Sequence, residues 1–241
     1  MKKQRLLKLL QSKYKEKSKD FLYSRVLCGE VYADHEKITD PKALVDAAAL
    51  VELRETGGYV SRGGLKLEAA LDAWNITVSE KVVLDAGAST GGFTDCVLQK
   101  GAAAVHAVDV GYNQLDYRLR TDERVIVHER TNIMKIDSLC PVPHIGLADL
   151  SFRSLRRAAA HILDLVSENL LIALLKPQFE VQDTSPGFSG IVSDPVLLEE
   201  IVSNVLGELK NENVITEAVM KSPITGRKGN QEYLLFCRKK T

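Results

Sequence analysis

From residue 82 onward, short apolar runs alternate with longer amphipathic segments along the chain. Runs of this length predict buried strands, and the segments between them predict helices. The predicted strands are 82–86, 104–110, 125–128, 145–149, 170–175, 214–220 and 232–238, and the predicted helices lie near 92–100, 114–120, 154–167 and 194–210. Such alternation is typical of an α/β fold, in which helices cover both faces of a parallel sheet.

Residues 1–58 follow a different pattern and predict a separate small α+β unit. An apolar stripe at helical spacing runs through residues 6–14, with lysines on the other side, and a second helix is predicted from about residue 18 to Gly29. Strand-like pieces follow at residues 31–32, 38 and 49–53. The paired glycines within residues 55–59 predict a flexible linker after this unit.

The stretch from Val82 to Asp95, VVLDAGASTGGFTD, predicts a strand, a glycine-rich turn and the start of a helix. Gly87, Gly91 and Gly92 allow the backbone to approach a ligand closely, and Asp85 ends the strand where nucleotides bind in open α/β sheets. The spacing is neither that of a Walker loop nor GxGxxG. DxGxxxGG is the pattern of S-adenosylmethionine sites. A glycine turn in some other α/β protein remains the alternative.

A second acid supports a nucleotide-type cofactor. Asp109 lies 24 residues after Asp85, at the end of the predicted strand 104–110. In dinucleotide-binding proteins, the acid that holds the ribose lies roughly 20 residues past the glycine loop. Gly111, Asn113 and Gln114 predict a polar turn beside it. Together the two strands predict a cofactor site.

Three further strand ends carry charged residues: Asp149, Lys176 and Glu232. Lys176 directly follows the most apolar predicted strand, and a buried ammonium group costs several kcal/mol unless it is paired. Asp149 and Glu232 are the expected partners. Because ligands bind at such strand ends, the group predicts a substrate site, with a purely structural ion pair as the alternative.

Residues 60–71, VSRGGLKLEAAL, predict a helix that Ser61 can cap. Lys66 is the one base in its first turns, and a lysine on a helix is normally just solvated. The expected apolar face comprises Leu65, Ala69 and Leu71.

The formal net charge is zero, but the charge is unevenly distributed. Residues 1–25 carry nine Lys or Arg and two acids, and the last 21 residues carry six Lys or Arg against Glu232 alone. Basic ends of this kind can meet phosphate, although a run of charge can also be a solvated face.

Several classes of protein are disfavoured by the sequence. The longest purely apolar run, Leu170 to Leu175, is far shorter than the roughly 20 residues that a bilayer-spanning helix needs. The basic start has no apolar core or small-residue cleavage site, so no signal peptide is expected. The four cysteines lack metal-ligand spacing and predict reduced thiols in a cytoplasmic protein without a metal site.

Lys66, Asp149, Lys176 and Glu232, around the DAGASTGGFTD loop, resemble the K-D-K-E tetrad of FtsJ-like ribose 2′-O-methyltransferases. Similarity to the hemolysin A (TlyA) family extends over essentially the whole chain, in the stretches SRGGLKLEAAL, DAGASTGGFTD, ERTNI, ADLSF, LLKPQFE, GIVSDP and GNQEYLLF.

That family joins an S4 RNA-binding domain to an FtsJ-like domain, so the resemblance implies an S4-like domain at 1–58 and a methyltransferase domain at 59–241. The second domain is expected to have the Rossmann-like, seven-stranded class I fold. Two details depart from the S4 pattern: RLL at residues 5–7 replaces RLD, and YADH at residues 32–35 replaces the Val-Asn-Gly turn.

The resemblance implies methylation of the 2′-hydroxyl of cytidines in 16S and 23S ribosomal RNA, with S-adenosylmethionine as the cofactor and ribosomal subunits as partners. Lys176 is expected to accept the hydroxyl proton or stabilise the developing alkoxide. Asp149 is expected to orient Lys176 and help place the methyl group. Lys66 and Glu232 are expected to position the ribose and the neighbouring phosphate.

The same resemblance implies a set of cofactor contacts. Asp109 is expected to hold the ribose hydroxyls, and Asn132, with Ile133 or Met134, is expected near adenine. Many relatives have an acid where this chain has Asn132. The remaining expected cofactor residues are Asp85, Gly87, Ser89, Thr90, Gly91, Gly92, Phe93 and Asp149.

Three other functions remain as alternatives. A membrane-active hemolysin is disfavoured because the sequence has no spanning helix and no alternating barrel pattern. An RNA-binding assembly factor with an inactive methyltransferase domain would need neither the tetrad nor the glycine loop. Methylation of a protein or small molecule would leave the basic N-terminal unit unexplained. Steep salt dependence of RNA binding would separate these functions.

Overall fold

The computed structural model describes residues 3–27, 29–54, 58–150, 155–181, 190–226 and 228–240. Contacts between Cα atoms divide the chain into two compact units, Met1–Gly64 and Leu65–Thr241.

The first unit contains two helices and two small sheets. Its elements are β1 (Lys3–Arg5), α1 (Leu6–Lys13), α2 (Lys19–Leu27), β2 (Val31–Ala33), β3 (Glu36–Ile38), β4 (Leu44–Asp46) and β5 (Val51–Leu53). The strands form an antiparallel sheet in the order β3-β2-β5 and a separate β1-β4 pair. The apolar stripes of the helices bury Leu6, Leu10, Leu22 and Val26 against the sheet residues Val31, Ala33 and Val51. The predicted helix pair is present, whereas β1 and β4 were not predicted.

A buried ion pair holds the end of this unit together. Arg25 and Glu30 are each 1% exposed, and Arg25 Nη1 lies 2.7 Å from Glu30 Oε2. Arg25 Nη2 also donates to the carbonyl oxygen of Tyr59 at 2.8 Å. Tyr59 therefore packs with the first unit, and the contacts divide the chain between Gly64 and Leu65. Residues 55–57 of the predicted linker lie outside the described residues.

The second unit is built on one seven-stranded sheet. Its strands are β6 (Val82–Ala86), β7 (Ala104–Val108), β8 (Val125–His128), β9 (Ile145–Ala148), β10 (Leu171–Leu175), β11 (Val214–Lys221) and β12 (Tyr233–Lys239). The order is β11-β12-β10-β9-β6-β7-β8, and only the pairs that include β12 are antiparallel. The helices are α3 (Gly63–Ala73), α4 (Gly92–Gln99), α5 (Tyr117–Arg120), α6 (Leu155–Asp164), α7 (Pro177–Glu180) and α8 (Pro195–Asn211), with a 3₁₀ turn at Ile133–Lys135.

All seven predicted strands are present, and β6 and β8 have the predicted bounds. The helix predicted at 114–120 is shorter, because the Asp116 carboxylate accepts a hydrogen bond from the Arg118 amide and caps a helix that begins only at Tyr117. The helix predicted at 154–167 spans Leu155–Asp164 in the described residues. The α7 turn was not predicted.

The strand directions place most of the predicted site residues at one edge of the sheet. The parallel strands β6, β7, β9 and β10 end there, and the antiparallel β12 begins there. The basic residues at the end of β12 therefore lie at the opposite edge, where Arg238 pairs with Glu217 at 3.2 Å and Lys239 pairs with Asp164. The C-terminal run of positive charge is thus not one patch beside the site.

Candidate active site

The glycine-rich turn leaves β6 in a backbone conformation that only small or flexible residues tolerate. Gly87 and Gly91 have φ angles of 89° and 94°. A Cβ on Gly87 would lie 2.5 Å from the carbonyl oxygen of Asp149, and the Gly87 amide donates to the carbonyl of Val108 at 2.8 Å. The turn therefore crosses the ends of two strands with no room for a side chain at Gly87.

The helix after this turn begins at Gly92, with Gly91 as its N-cap. Phe93 is 2% exposed and packs inward, so only its backbone faces the turn. The carbonyl of Thr90 accepts a hydrogen bond from Asp116 at 3.2 Å. The N-terminus of α4 therefore faces the turn, and the amide of Thr94 in its first turn interacts with the Asp85 carboxyl group.

Asp85 is fully buried at the end of β6. Thr94 Oγ1 donates to Asp85 Oδ2 at 2.6 Å, and Oδ1 has no hydrogen-bond partner. Burial raises the pKa of Asp85 to about 7, with Thr94 opposing the rise and the nearby Asp149 adding to it. An unsatisfied carboxylate oxygen under a glycine-rich turn is a site for a cationic donor.

Asp109 joins the glycine-rich turn to the next one. Its Oδ2 accepts from the Ser89 amide at 2.8 Å, and its Oδ1 accepts from the Gly111 amide at 2.6 Å. The Arg130 guanidinium stacks on the ring of Tyr112, 4.1 Å from its centre, beside this second turn. The predicted ribose-binding acid thus lies next to the predicted cofactor loop.

Asn132 has a structural contact that the sequence did not suggest. Its Oδ1 accepts from the Met134 amide at 3.1 Å and caps the 3₁₀ turn at Ile133–Lys135. The amide of the preceding residue, Thr131, donates to the carbonyl oxygen of Asp109 at 2.9 Å. Asn132 therefore directly follows a residue that makes a backbone contact to Asp109.

Lys176 and Asp149 form an ion pair at the ends of neighbouring strands. Lys176 Nζ lies 2.5 Å from Asp149 Oδ1, and their side chains are 12% and 25% exposed. Ala86 pairs with Ala148 in the ladder, so Gly87 and Asp149 leave the sheet side by side. The ion pair therefore borders the glycine-rich turn.

Lys66 and Glu232 form a second, more deeply buried pair, with 8% and 3% exposure. Leu175 pairs with Tyr233 in the antiparallel ladder, so the adjacent residues Lys176 and Glu232 lie side by side. The structure thus brings together all four residues of the predicted tetrad.

The helix that carries Lys66 buries a different face from the predicted one. Leu65 is 41% exposed, and Ala69 is half-buried. The residues on the buried face are Lys66, Leu67, Ala70 and Leu71. Lys66 is thus buried on the same face as the apolar residues, and the prediction that Leu65 lies on that face was wrong. At the start of the helix, Ser61 Oγ accepts a hydrogen bond from the Gly63 amide at 3.3 Å, as expected for a capping residue.

Sequence reasoning did not single out Glu180, which fixes the turn after Lys176. Glu180 is 6% exposed; its Oε1 accepts from the Leu155 amide at 2.9 Å, and its Oε2 lies 3.0 Å from Arg156 Nε. These contacts hold α7 against the start of α6. The available signal was the acid that ends LLKPQFE, four residues after Lys176.

Within the described ranges, the structure offers neither a metal site nor a membrane-spanning helix. No group of three or more His, Cys, Asp or Glu residues there could hold a metal ion. No helix in the same part of the chain is long and apolar enough to cross a membrane.

Residues 59–239 match the family model described as FtsJ-like methyltransferase. The chain is 40% identical to "Putative rRNA methyltransferase YqxC" of Bacillus subtilis, covering 97% of this chain and 85% of the relative. It is 39% identical to "16S/23S rRNA (cytidine-2'-O)-methyltransferase TlyA" of Mycobacterium tuberculosis, covering 88% of this chain and 81% of the relative.

Solved structures agree with these relatives. The structure described as "Putative hemolysin from Streptococcus thermophilus" has a TM-score of 0.75 and 34% identity, and covers 100% of this chain and 90% of that chain. An S-adenosylmethionine dependent methyltransferase from Mesorhizobium loti, with a TM-score of 0.51, 15% identity and coverage of 71% and 96%, shares the fold alone. The chain belongs to the FtsJ-like methyltransferase family, within its hemolysin A (TlyA) group.

Proposed function

We propose that this protein transfers the methyl group of S-adenosylmethionine to the 2′-hydroxyl of cytidine in 16S or 23S ribosomal RNA. The observation that carries the proposal is the placement of two ion pairs, the partly buried Lys176–Asp149 and the buried Lys66–Glu232, beside the glycine-rich turn. A relative with 39% identity is named for this reaction. The proposal includes a cytoplasmic location, where ribosomal RNA is available.

The residues around the turn fit S-adenosylmethionine. The unpartnered Oδ1 of Asp85 can accept from the ammonium of the methionine part, and Gly87 leaves room for a close approach. Asp109 can exchange its amide hydrogen bonds for the ribose hydroxyls. The cofactor-binding set is proposed as Asp85, Gly87, Ser89, Thr90, Gly91, Gly92, Phe93, Asp109, Asn132 and Asp149. When bound, the cofactor supplies an electrophilic methyl group on a sulfonium.

Lys176 is proposed as the catalytic residue that acts on the ribose hydroxyl. A hydroxyl is a poor nucleophile until its proton leaves, so Lys176 Nζ accepts that proton or stabilises the negative charge that develops on the oxygen. Asp149 holds Nζ at 2.5 Å and so fixes its direction. Much of the acceleration then comes from placing the oxygen in line with the methyl group.

Lys66 and Glu232 are proposed to position the ribose and its neighbouring phosphate. Their pairing keeps both charges compensated in a buried position next to Lys176. Residues 1–58 are proposed as an S4-like RNA-binding domain and residues 59–241 as the methyltransferase domain. The basic face of α1 supports the first assignment, since Lys8 and Lys13 lie exposed on it.

The deciding experiment is incorporation of labelled methyl from S-adenosylmethionine into separated 30S and 50S subunits, followed by nuclease digestion to locate the label. Label on a cytidine 2′-oxygen is expected, and the labelled subunit identifies the substrate. Absence of label from both subunits, with the cofactor bound, would contradict the proposal and favour an RNA-binding factor or another acceptor.

A further inference from the structure

Asn230 is a buried polar residue two positions before Glu232, and none of the roles above uses it. It is 3% exposed. Its Oδ1 accepts from the Val192 amide at 2.9 Å, and its Nδ2 donates to the carbonyl oxygen of Gly190 at 2.8 Å. One side chain therefore fastens the segment 190–192 to the turn that leads into β12.

That turn is closely packed around the carboxylate of Glu232. The Gly226 amide donates to the Asn230 carbonyl at 2.9 Å, which closes the turn. A Cβ on Gly226 would lie 2.5 Å from Glu232 Oε1. The Ser222 amide donates to the Glu232 carbonyl at 2.8 Å. A shift of this turn would therefore move Glu232 and, through it, the Lys66 ammonium.

The sheet order places this turn on the side of the tetrad away from the glycine-rich turn. β12 and β9 flank β10 on opposite sides, and β6 and β7 lie beyond β9. If the cofactor occupies the ends of β6 and β7, it lies on one side of Lys176. The acceptor must then approach Lys176 from the other side, which is the side of β12. The segment 190–192 and, in the turn before β12, Gly226 and residues 228–230 form the border on that side, which we call the acceptor wall.

The acceptor wall also presents positive charge. Lys228 is exposed, and a Cβ on Gly190 would lie 3.3 Å from Lys228 Nζ. The ammonium of Lys228 therefore lies next to Gly190, in the segment that Asn230 fastens. A cationic group at this border matches the phosphate of an RNA strand.

We propose that Asn230 is a positioning residue for the acceptor RNA, an inference that rests on the proposed function. By fastening the acceptor wall, it fixes the positions of Glu232 and Lys228 relative to Lys176. The ribose whose hydroxyl is methylated then sits against the wall with its phosphate toward Lys228. Loss of the fastening should disturb the acceptor and leave the cofactor site intact.

Asn169 provides a matched control, because it contacts the far end of β12, the strand that Asn230 precedes. Its Nδ2 donates to the carbonyl oxygen of Lys239 at 2.9 Å, and its Oδ1 accepts from the Lys239 amide at 2.6 Å. It therefore makes the same kind of two-bond backbone clamp, at the sheet edge opposite the site. Asn169 also has a φ angle of 50°, so alanine there adds backbone strain.

The test compares Asn230→Ala, Asn230→Asp and Asn169→Ala as full-length proteins. For each we would measure the melting temperature, the Kd for S-adenosylmethionine by calorimetry, and kcat and KM for the labelled ribosomal subunit. Asn230→Ala is expected to lower kcat/KM for RNA roughly 10- to 100-fold with an unchanged cofactor Kd. Asn230→Asp keeps the acceptor for Val192 and loses the donor to Gly190, so an intermediate loss is expected.

Asn169→Ala should lose at least as much thermal stability while keeping wild-type kcat/KM. Equal kcat/KM losses in Asn230→Ala and Asn169→Ala, or wild-type kcat/KM in Asn230→Ala, would overturn the inference. If Asn230→Ala does not fold, Asn230→Asp decides by the same comparison. Failure of the proposed function has a different signature, because the wild-type protein itself would then transfer no methyl group to RNA.

Discussion

At the scale of single residues, the four charged residues of the tetrad form two ion pairs. Lys176 lies against Asp149, and Lys66 lies against Glu232. Truncating one member of such a pair leaves the other charge without compensation, which destabilises the fold as well as the site. A variant of the tetrad must therefore be judged by cofactor binding and stability together with activity.

Lys176→Ala should abolish methyl transfer while the protein still binds S-adenosylmethionine. Removal of a group that accepts a proton or stabilises an alkoxide lowers kcat by roughly 10²- to 10⁴-fold. Single-turnover transfer to the labelled ribosomal subunit measures the effect, and calorimetry measures cofactor binding. Lys210→Ala, which removes an exposed lysine on α8, is the control and should behave as wild type. Near-normal turnover by Lys176→Ala would refute the assigned role.

Asp85 should make stability depend on pH in an unusual direction for a carboxyl group. Its pKa in the folded protein is raised to about 7 by burial, so the folded state holds the proton more tightly than the unfolded chain. The stabilising contribution is complete below the unfolded pKa of 3.8 and has been lost once the pH has risen through about 7. The free energy of unfolding therefore falls by about 4 kcal/mol between these two pH values.

Asp85→Asn should therefore gain stability relative to the wild type between pH 5 and pH 8, as urea unfolding at several pH values would measure. It should also bind S-adenosylmethionine more weakly, because an amide is a poorer partner for the ammonium group. Asp137→Asn, at an exposed position, should follow the wild-type pH profile. A constant difference between Asp85→Asn and wild type at all pH values would argue against the raised pKa.

At the scale of secondary-structure elements, the glycine-rich turn and helix α8 give opposite expectations for the same substitution. Gly87→Ala should destabilise the protein by about 2 kcal/mol or more, because φ is 89° and the new Cβ would lie 2.5 Å from a backbone oxygen. It should also abolish binding of S-adenosylmethionine. Gly207 lies within α8, where a Cβ meets nothing within 4 Å, so Gly207→Ala should add about 0.5–1 kcal/mol.

Chemical denaturation and cofactor calorimetry on the two variants provide the measurement. A Gly87→Ala protein with wild-type stability and cofactor affinity would show that the turn is not a close-approach site. Loss of cofactor binding in Gly207→Ala would show that the loss in Gly87→Ala does not depend on the position of the substitution at the cofactor site.

Long buried strands could be predicted from the sequence, whereas short elements that depend on distant contacts could not. The strands buried on both faces, such as β6 and β10, are runs of apolar residues and were predicted from the sequence. The three-residue strands β1 and β4 pair only with each other, and their burial pattern carries little hydrophobic signal. The α7 turn depends on the contact of Glu180 with α6, which no local pattern encodes.

At the scale of the whole molecule, binding of ribosomal RNA should weaken steeply with salt, and the N-terminal lysines should account for part of the effect. Each lost phosphate contact lowers the slope of log K against log salt by about 0.7–0.9, so Lys8→Gln with Lys15→Gln should lower it by about 1.5. Fluorescence anisotropy over a salt series measures the slope. Cofactor affinity should not change.

The control for that measurement is Lys210→Gln with Lys240→Gln, which removes the same charge from exposed positions in the second unit. An equal reduction of the slope in both double variants would mean that Lys8 and Lys15 make no specific RNA contact. The salt dependence would then reflect net charge alone.

The sequence by itself determined the α/β class and the seven strands and placed Asp149, Lys176 and Glu232 at strand ends, whereas Lys66 was singled out only by the family resemblance. Apolar runs and glycine spacing are local properties, and the strand ends of a parallel sheet converge by topology. The tertiary structure alone decided that Lys66 pairs with Glu232, across 166 positions, and that Lys176 contacts Asp149, one of its two expected partners. It also decided the buried face of α3, the capping role of Asn132 and the clamp made by Asn230. These depend on contacts between segments far apart in the chain, which the order of residues does not specify locally.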